Sequence, residues 1–120
     1  MRPRATRAAT VLLTAALALG LSGCRDVPTT ASVKDFCSAG EKFSASTTFK
    51  QGISSAKKLQ DIGTPSNTPK RARDGFVQLI NRVLDAKDGQ DFIKKSKKLD
   101  ADERKNLMAL NDYIKKTCQG

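Results

Sequence analysis

The chain has 120 residues, with 22 Lys and Arg against 12 Asp and Glu, a formal charge of +10, and no His or Trp. Without His, the commonest general base and the commonest metal ligand are missing, and enzyme readings start from that deficit. The length allows one small domain with a thin core. One Tyr and five Phe leave little aromatic surface for stacking on bases.

Arg2, Arg4 and Arg7 open the chain without an acidic neighbour, and residues 11–21 are almost wholly apolar. That run is about half of the roughly 20 residues a membrane-spanning helix needs, and no positive stop-transfer cluster follows it. This is the three-part layout of an export signal. Its close, Leu21-Ser22-Gly23-Cys24, resembles the lipobox of bacterial prolipoproteins. The resemblance implies a leader of residues 1–23, cleavage between Gly23 and Cys24, and a diacylglycerol on the Cys24 thiol. The alternative is an ordinary secretory signal that ends near a buried cysteine. Each buried methylene contributes about 0.8 kcal/mol, so two or three acyl chains anchor stably where one holds marginally. The expected address is the extracytoplasmic face of the cell membrane, lipid-anchored and not spanning it.

Loss of the leader removes three arginines and no acid, leaving 97 residues with a surplus of +7. Of three cysteines, lipid occupies Cys24, and Cys37 and Cys118 remain as an even pair. Outside the cytoplasm such a pair normally oxidises. Closing a loop of this length stabilises a fold by roughly 4.5 kcal/mol in the chain-entropy treatment. Two free thiols or a metal pair are the alternative, but no spacing resembles a ligand set.

Along the mature chain, residues 24–31 read as a lipidated tether, with Pro28 and two threonines favouring an extended path. Residues 32–120 form the domain, and its apolar periodicity is helical throughout. Ser32 with Asp35 signals a helix start, and Val33, Phe36, Cys37, Gly40 and Phe43 fall on one face. Thr48 with Gln51 predicts a capping box for a second helix carrying Phe49, Ile53, Ala56 and Leu59. Gly63 to Pro69 is the clearest loop, with Thr68 expected as cap and Pro69 as first residue of a third helix. That helix shows the strongest amphipathic stripe: Ala72, Phe76, Leu79, Ile80, Val83 and Leu84. Asp88-Gly89 breaks the pattern before a short helix with Phe92, Ser96 and Leu99. Asp100 with Glu103 caps the last helix, where Leu107, Leu110, Ile114 and Cys118 share a face. The expected fold is all-α, an antiparallel bundle of four to five helices whose first and last members are joined by a Cys37–Cys118 disulfide.

Two charge features bear on function. Residues 94–98, Lys-Lys-Ser-Lys-Lys, are the densest positive cluster; they could face anionic lipid headgroups or acidic cell-wall polymers, or simply complement a helix dipole. Lys70, Arg71 and Arg73 crowd the first turn of the third helix, where positive charge opposes the dipole. With Thr68 and the free backbone N–H groups they form a candidate anion site; a solvated edge paired with Asp74 is the alternative. Ser96 between lysines offers a Ser-Lys pair, but it falls on the apolar face and reads as a small core residue.

The arrangement resembles a group of small helical lipoproteins of actinobacteria. The shared features are the lipobox, Phe36-Cys37, Gly63-Thr64-Pro65, Gly75-Phe76, and Tyr113-Ile114 closing at Cys118. The resemblance implies a fold and a location, and no activity transfers with it. The basic surplus departs from the group's acidic members, so surface charge is not carried over.

The expected function is a non-enzymatic accessory or binding module at the envelope. Its partners would be the membrane through Cys24 and an anionic lipid, a cell-wall polymer or an envelope protein. No cofactor, metal or nucleic-acid partner is expected. The alternative is a small-ligand or lipid carrier with a cavity between helices. Against it, about twenty large apolar residues leave too little packing for a sizeable internal cavity.

Overall fold

The computed structural model describes residues 26–119; the expected leader, its expected cleavage position and Cys24 lie outside them. The described residues form five helices and no strand: α1 (Val33–Ser44), α2 (Phe49–Ile62), α3 (Lys70–Asp85), α4 (Gly89–Ser96) and α5 (Ala101–Cys118).

Local chemistry sets most of the starts. The Ser32 hydroxyl accepts from the Asp35 N–H at 3.0 Å, and the Asp88 carboxylate accepts from the Asp91 N–H at 2.8 Å. Asp100 and Glu103 close a full capping box, with each side chain accepting the other's backbone N–H. The second box is only half made. Thr48 caps α2, but the Gln51 carbonyl takes the N–H and hydroxyl of Thr47 instead of the Thr48 N–H.

The third start differs from expectation. Pro69 is the N-cap of α3, with no side-chain cap, and the helix begins at Lys70. Thr68 turns back, its hydroxyl and its N–H both donating to the Pro65 carbonyl at 2.7 and 3.1 Å. A loop closed on itself leaves that hydroxyl unable to reach forward.

α3 is the central element. Ala72, Phe76, Ile80 and Val83 are at most 3% exposed, and Phe36, Ala56, Leu59 and Leu110 complete the core around them. α3 and α5 run antiparallel: Tyr113 donates to Asn67, Arg71 to Asn106, and Arg82 to Glu103. They approach closest at Gly75, where a Cβ would stand 2.2 Å from the Asn106 carbonyl oxygen. Glycine is therefore required there by backbone contact. Arg82 also donates to the Lys95 carbonyl at 3.0 Å, so one guanidinium ties α3 to α4 and α5.

The ends are joined as expected. Cys37 in α1 and Cys118 in α5 form a disulfide with Cα atoms 5.5 Å apart. Phe36 packs on Phe76 and on Tyr113, with ring centroids 5.8 and 5.9 Å away.

The tether is not free along its whole length. Val27 is buried in the core, and the Arg73 guanidinium donates to the carbonyls of Val27 and Pro28. Thr64 completes the seam: its N–H donates to Pro28, and its carbonyl accepts from the Ala31 N–H. Its hydroxyl accepts from Arg73 at 3.0 Å. This leaves a fully buried threonine with every polar group paired. Gly63 holds φ +82°, with Pro28 so close that a Cβ would lie 2.0 Å from its carbonyl oxygen. Among the described residues, packing against the bundle thus extends back to Val27, ahead of Ser32.

Candidate functional site

The candidate anion residues at the start of α3 do not act as one group. Arg73 faces inward, committed to Val27, Pro28 and Thr64. Thr68 is turned towards Pro65. The Lys70 ammonium pairs with Asp74 at 2.8 Å, and Arg71 donates to Asn106 at 3.1 Å. The charges that oppose the helix dipole are thus largely answered by intramolecular partners.

The 94–98 cluster divides similarly. Lys95 pairs with Asp91 at 3.2 Å. The Asp91 carboxyl is held below its ordinary range, first by the Lys87 backbone N–H it accepts and then by Lys95. Lys94, Lys97 and Lys98 are exposed. Ser96 is half-buried and donates to the Phe92 carbonyl at 2.8 Å, as in an ordinary helical back-bond.

A concavity of more chemical interest lies elsewhere. An open trough of about 590 Å³ runs between α1, α3 and α5. α1 contributes Phe36, Gly40 and Phe43, which share one face because they are spaced at i, i+4 and i+7. Phe76 and Leu79 of α3 and Leu59 of α2 supply apolar surface, and Leu110 and Ile114 line it from α5. The Cys37–Cys118 disulfide forms part of the lining where α1 begins and α5 ends.

Polar groups lie among the lining residues of α1. Lys34 and Glu41 are exposed, and neither side chain has an ion-pair partner among the described residues. Seven residues apart on one helix, they are separated by roughly 10 Å along its axis. Gly40 sits between them, and a Cβ built there meets nothing within 4 Å.

Helical spacing assigns Phe36, Gly40 and Phe43 to one core-directed face, and Phe36 and Phe43 do pack into the core. What spacing did not supply is the gap in front of it. The one available sign was a glycine inside an amphipathic helix, which weakens the helix without serving a turn. A side trough also meets the packing objection to an internal cavity, because Phe36, Phe76 and Leu110 stay buried beneath it.

A smaller depression of about 160 Å³ lies between α1 and α2, lined by Asp35, Lys42 and Lys58 among others. No group of three or more His, Cys, Asp or Glu among the described residues is placed to hold a metal ion. No helix among them is long and apolar enough to cross a membrane. No protein-family model matches the chain, and neither a curated protein nor a solved structure matches it.

Proposed function

We propose that the protein is an envelope lipoprotein: a non-enzymatic binding module held on the extracytoplasmic face of the membrane by lipid on Cys24, with affinity for anionic components. The docking of residues 27–31 is the observation that supports this reading. Only Arg25 and Asp26 separate Cys24 from the buried Val27, and three residues extend at most about 10 Å. Lipid at Cys24 would then mount the domain directly on the bilayer, through a seam fixed by Arg73 and Thr64. α3 begins beside that seam and is 16 residues long, so its far end stands roughly 24 Å away. Lys94, Lys97 and Lys98 follow that far end, which suits an anionic wall polymer or acidic envelope protein better than the underlying headgroups.

Intact mass of protein recovered from membranes tests the anchor. A diacylglyceryl increment on a chain beginning at Cys24, with Cys24→Ala released or retained as unmodified precursor, supports the reading. An unmodified wild-type chain overturns it.

A second reading, a carrier of a small apolar ligand, is favoured by the trough itself. Its volume lies within the roughly 300–1,000 Å³ of small-molecule sites, and its floor presents side chains of Phe, Leu and Ile.

A further inference from the structure

We propose that the trough binds a single-chain anionic amphiphile, a fatty carboxylate, with its alkyl chain along Phe36, Gly40 and Phe43 and its head group at Lys34. The inference rests on the carrier reading and names its ligand class.

Three observations carry it. The lining is mainly apolar, Ser38, Ser44 and Gln119 apart, and no charged residue of it falls between Lys34 and Glu41. An unbranched alkyl chain covers such a surface while bringing no polar group of its own to be satisfied. The two charges then orient it. Lys34, where α1 begins, offers an unpartnered ammonium for a carboxylate, while Glu41, two turns on, repels the same head group. A cationic amphiphile would meet the opposite field, and a neutral one would have no preferred direction.

Gly40 supplies the third observation. Open space faces its Cβ position, so neither a contact nor the backbone demands glycine, which is a poor helix former. What the missing side chain preserves is the free volume of the trough. Gly75, by contrast, is glycine because Asn106 leaves no room.

The test uses the oxidised chain from Asp26 to Gly120, which contains every core contact described above and lacks Cys24. Its failure therefore says nothing about the anchor, and failure of the anchor leaves it intact. Dodecanoate is titrated calorimetrically below its micelle concentration. Saturable one-to-one binding is expected, weakened about ten-fold in Lys34→Met, the loss of one charge-assisted contact. Gly40→Phe fills the trough and abolishes binding; Leu79→Trp does so from the opposite wall. Gly40→Ala retains binding, and its melting midpoint rises by about 3–6 °C. Absence of saturable binding overturns the proposal. So does binding unchanged in both filled variants, equal affinity for dodecyltrimethylammonium, or uptake of anionic phospholipid vesicles without dodecanoate binding.

Discussion

Arg73, in the first turn of α3, donates to the carbonyl oxygens of Val27 and Pro28, respectively 46 and 45 residues earlier in the chain. One guanidinium thus joins the loop at Thr64 to the segment that leads into α1. Removing it leaves the Val27 carbonyl without that partner, while the Pro28 carbonyl keeps the Thr64 N–H, and hydrogen bonds to charged groups contribute about 1.5–3 kcal/mol. Arg73→Ala should lower stability by about 2–3 kcal/mol in urea titration, and should speed hydrogen exchange at the Ala31 and Thr64 amides. Arg73→Lys should recover little, because an ammonium cannot span the three acceptors that the planar fork reaches. Unchanged exchange at Thr64 in Arg73→Ala would show that the seam holds without it.

A pair of glycines separates the two reasons for lacking a side chain. In Gly75→Ala the new methyl would stand 2.2 Å from the Asn106 oxygen, so α3 and α5 must part. We expect a loss of about 1–3 kcal/mol, the range for overpacked contacts. Gly52, within α2, has open space at its Cβ position, and Gly52→Ala should gain about 0.5–1 kcal/mol. Thermal melts of the two variants should move in opposite directions.

Reduction of the Cys37–Cys118 bond, which spans 81 residues, should cost about 4–5 kcal/mol by loop-closure entropy. Cys37→Ala/Cys118→Ala should show the same midpoint with or without reductant, and wild type should fall to that midpoint only when reduced. Equal midpoints for oxidised and reduced wild type would mean that the helices carry the fold alone.

Asp91 gives the pH dependence a sign. Its folded carboxyl is held below the ordinary value of 3.8, so the unfolded chain binds its proton first as pH falls. The stabilisation is therefore present above the unfolded pKa and is lost as pH drops through the folded one. An NMR titration should place the Asp91 midpoint below the ordinary aspartate value of 3.8. Asp91→Asn should flatten acid loss of α4 structure, since the Lys87 N–H and Lys95 then face a neutral acceptor.

Caps at Ser32 and Asp100 are legible in sequence because donor and acceptor lie three residues apart, and nothing distant competes for them. The disulfide is legible because helical phase turns Cys37 and Cys118 to apolar faces and no other cysteine contends once Cys24 is assigned to lipid. Thr68 and Arg73 are misread for one shared reason. Each has a local role that its position suggests, cap or anion ligand, and each is drawn instead to a carbonyl exposed by the fold. The burial of Val27 depends on Thr64 pairing across more than thirty residues, which no window of periodicity reports. The trough is hidden similarly: periodicity says which face of α1 is apolar, not how far α3 stands from it. Phe36 and Tyr113 meet in the ring cluster, Gly63 lies against Pro28, Gly75 at the α3–α5 contact, and Cys37 in the disulfide.

The disulfide also sets how the molecule would behave under tension. A pull between the segment ahead of Asp26 and the far end of α5 first meets the four hydrogen bonds made by Val27, Pro28 and Ala31. Should these yield, only the residues ahead of Cys37 can lengthen before the load passes through sulfur to Cys118. The chain between the two cysteines lies off that path. Most of the bundle, and most of the trough wall with it, is mechanically bypassed: a tug strong enough to strip the seam would extend a short leash and leave α2, α3 and α4 unloaded.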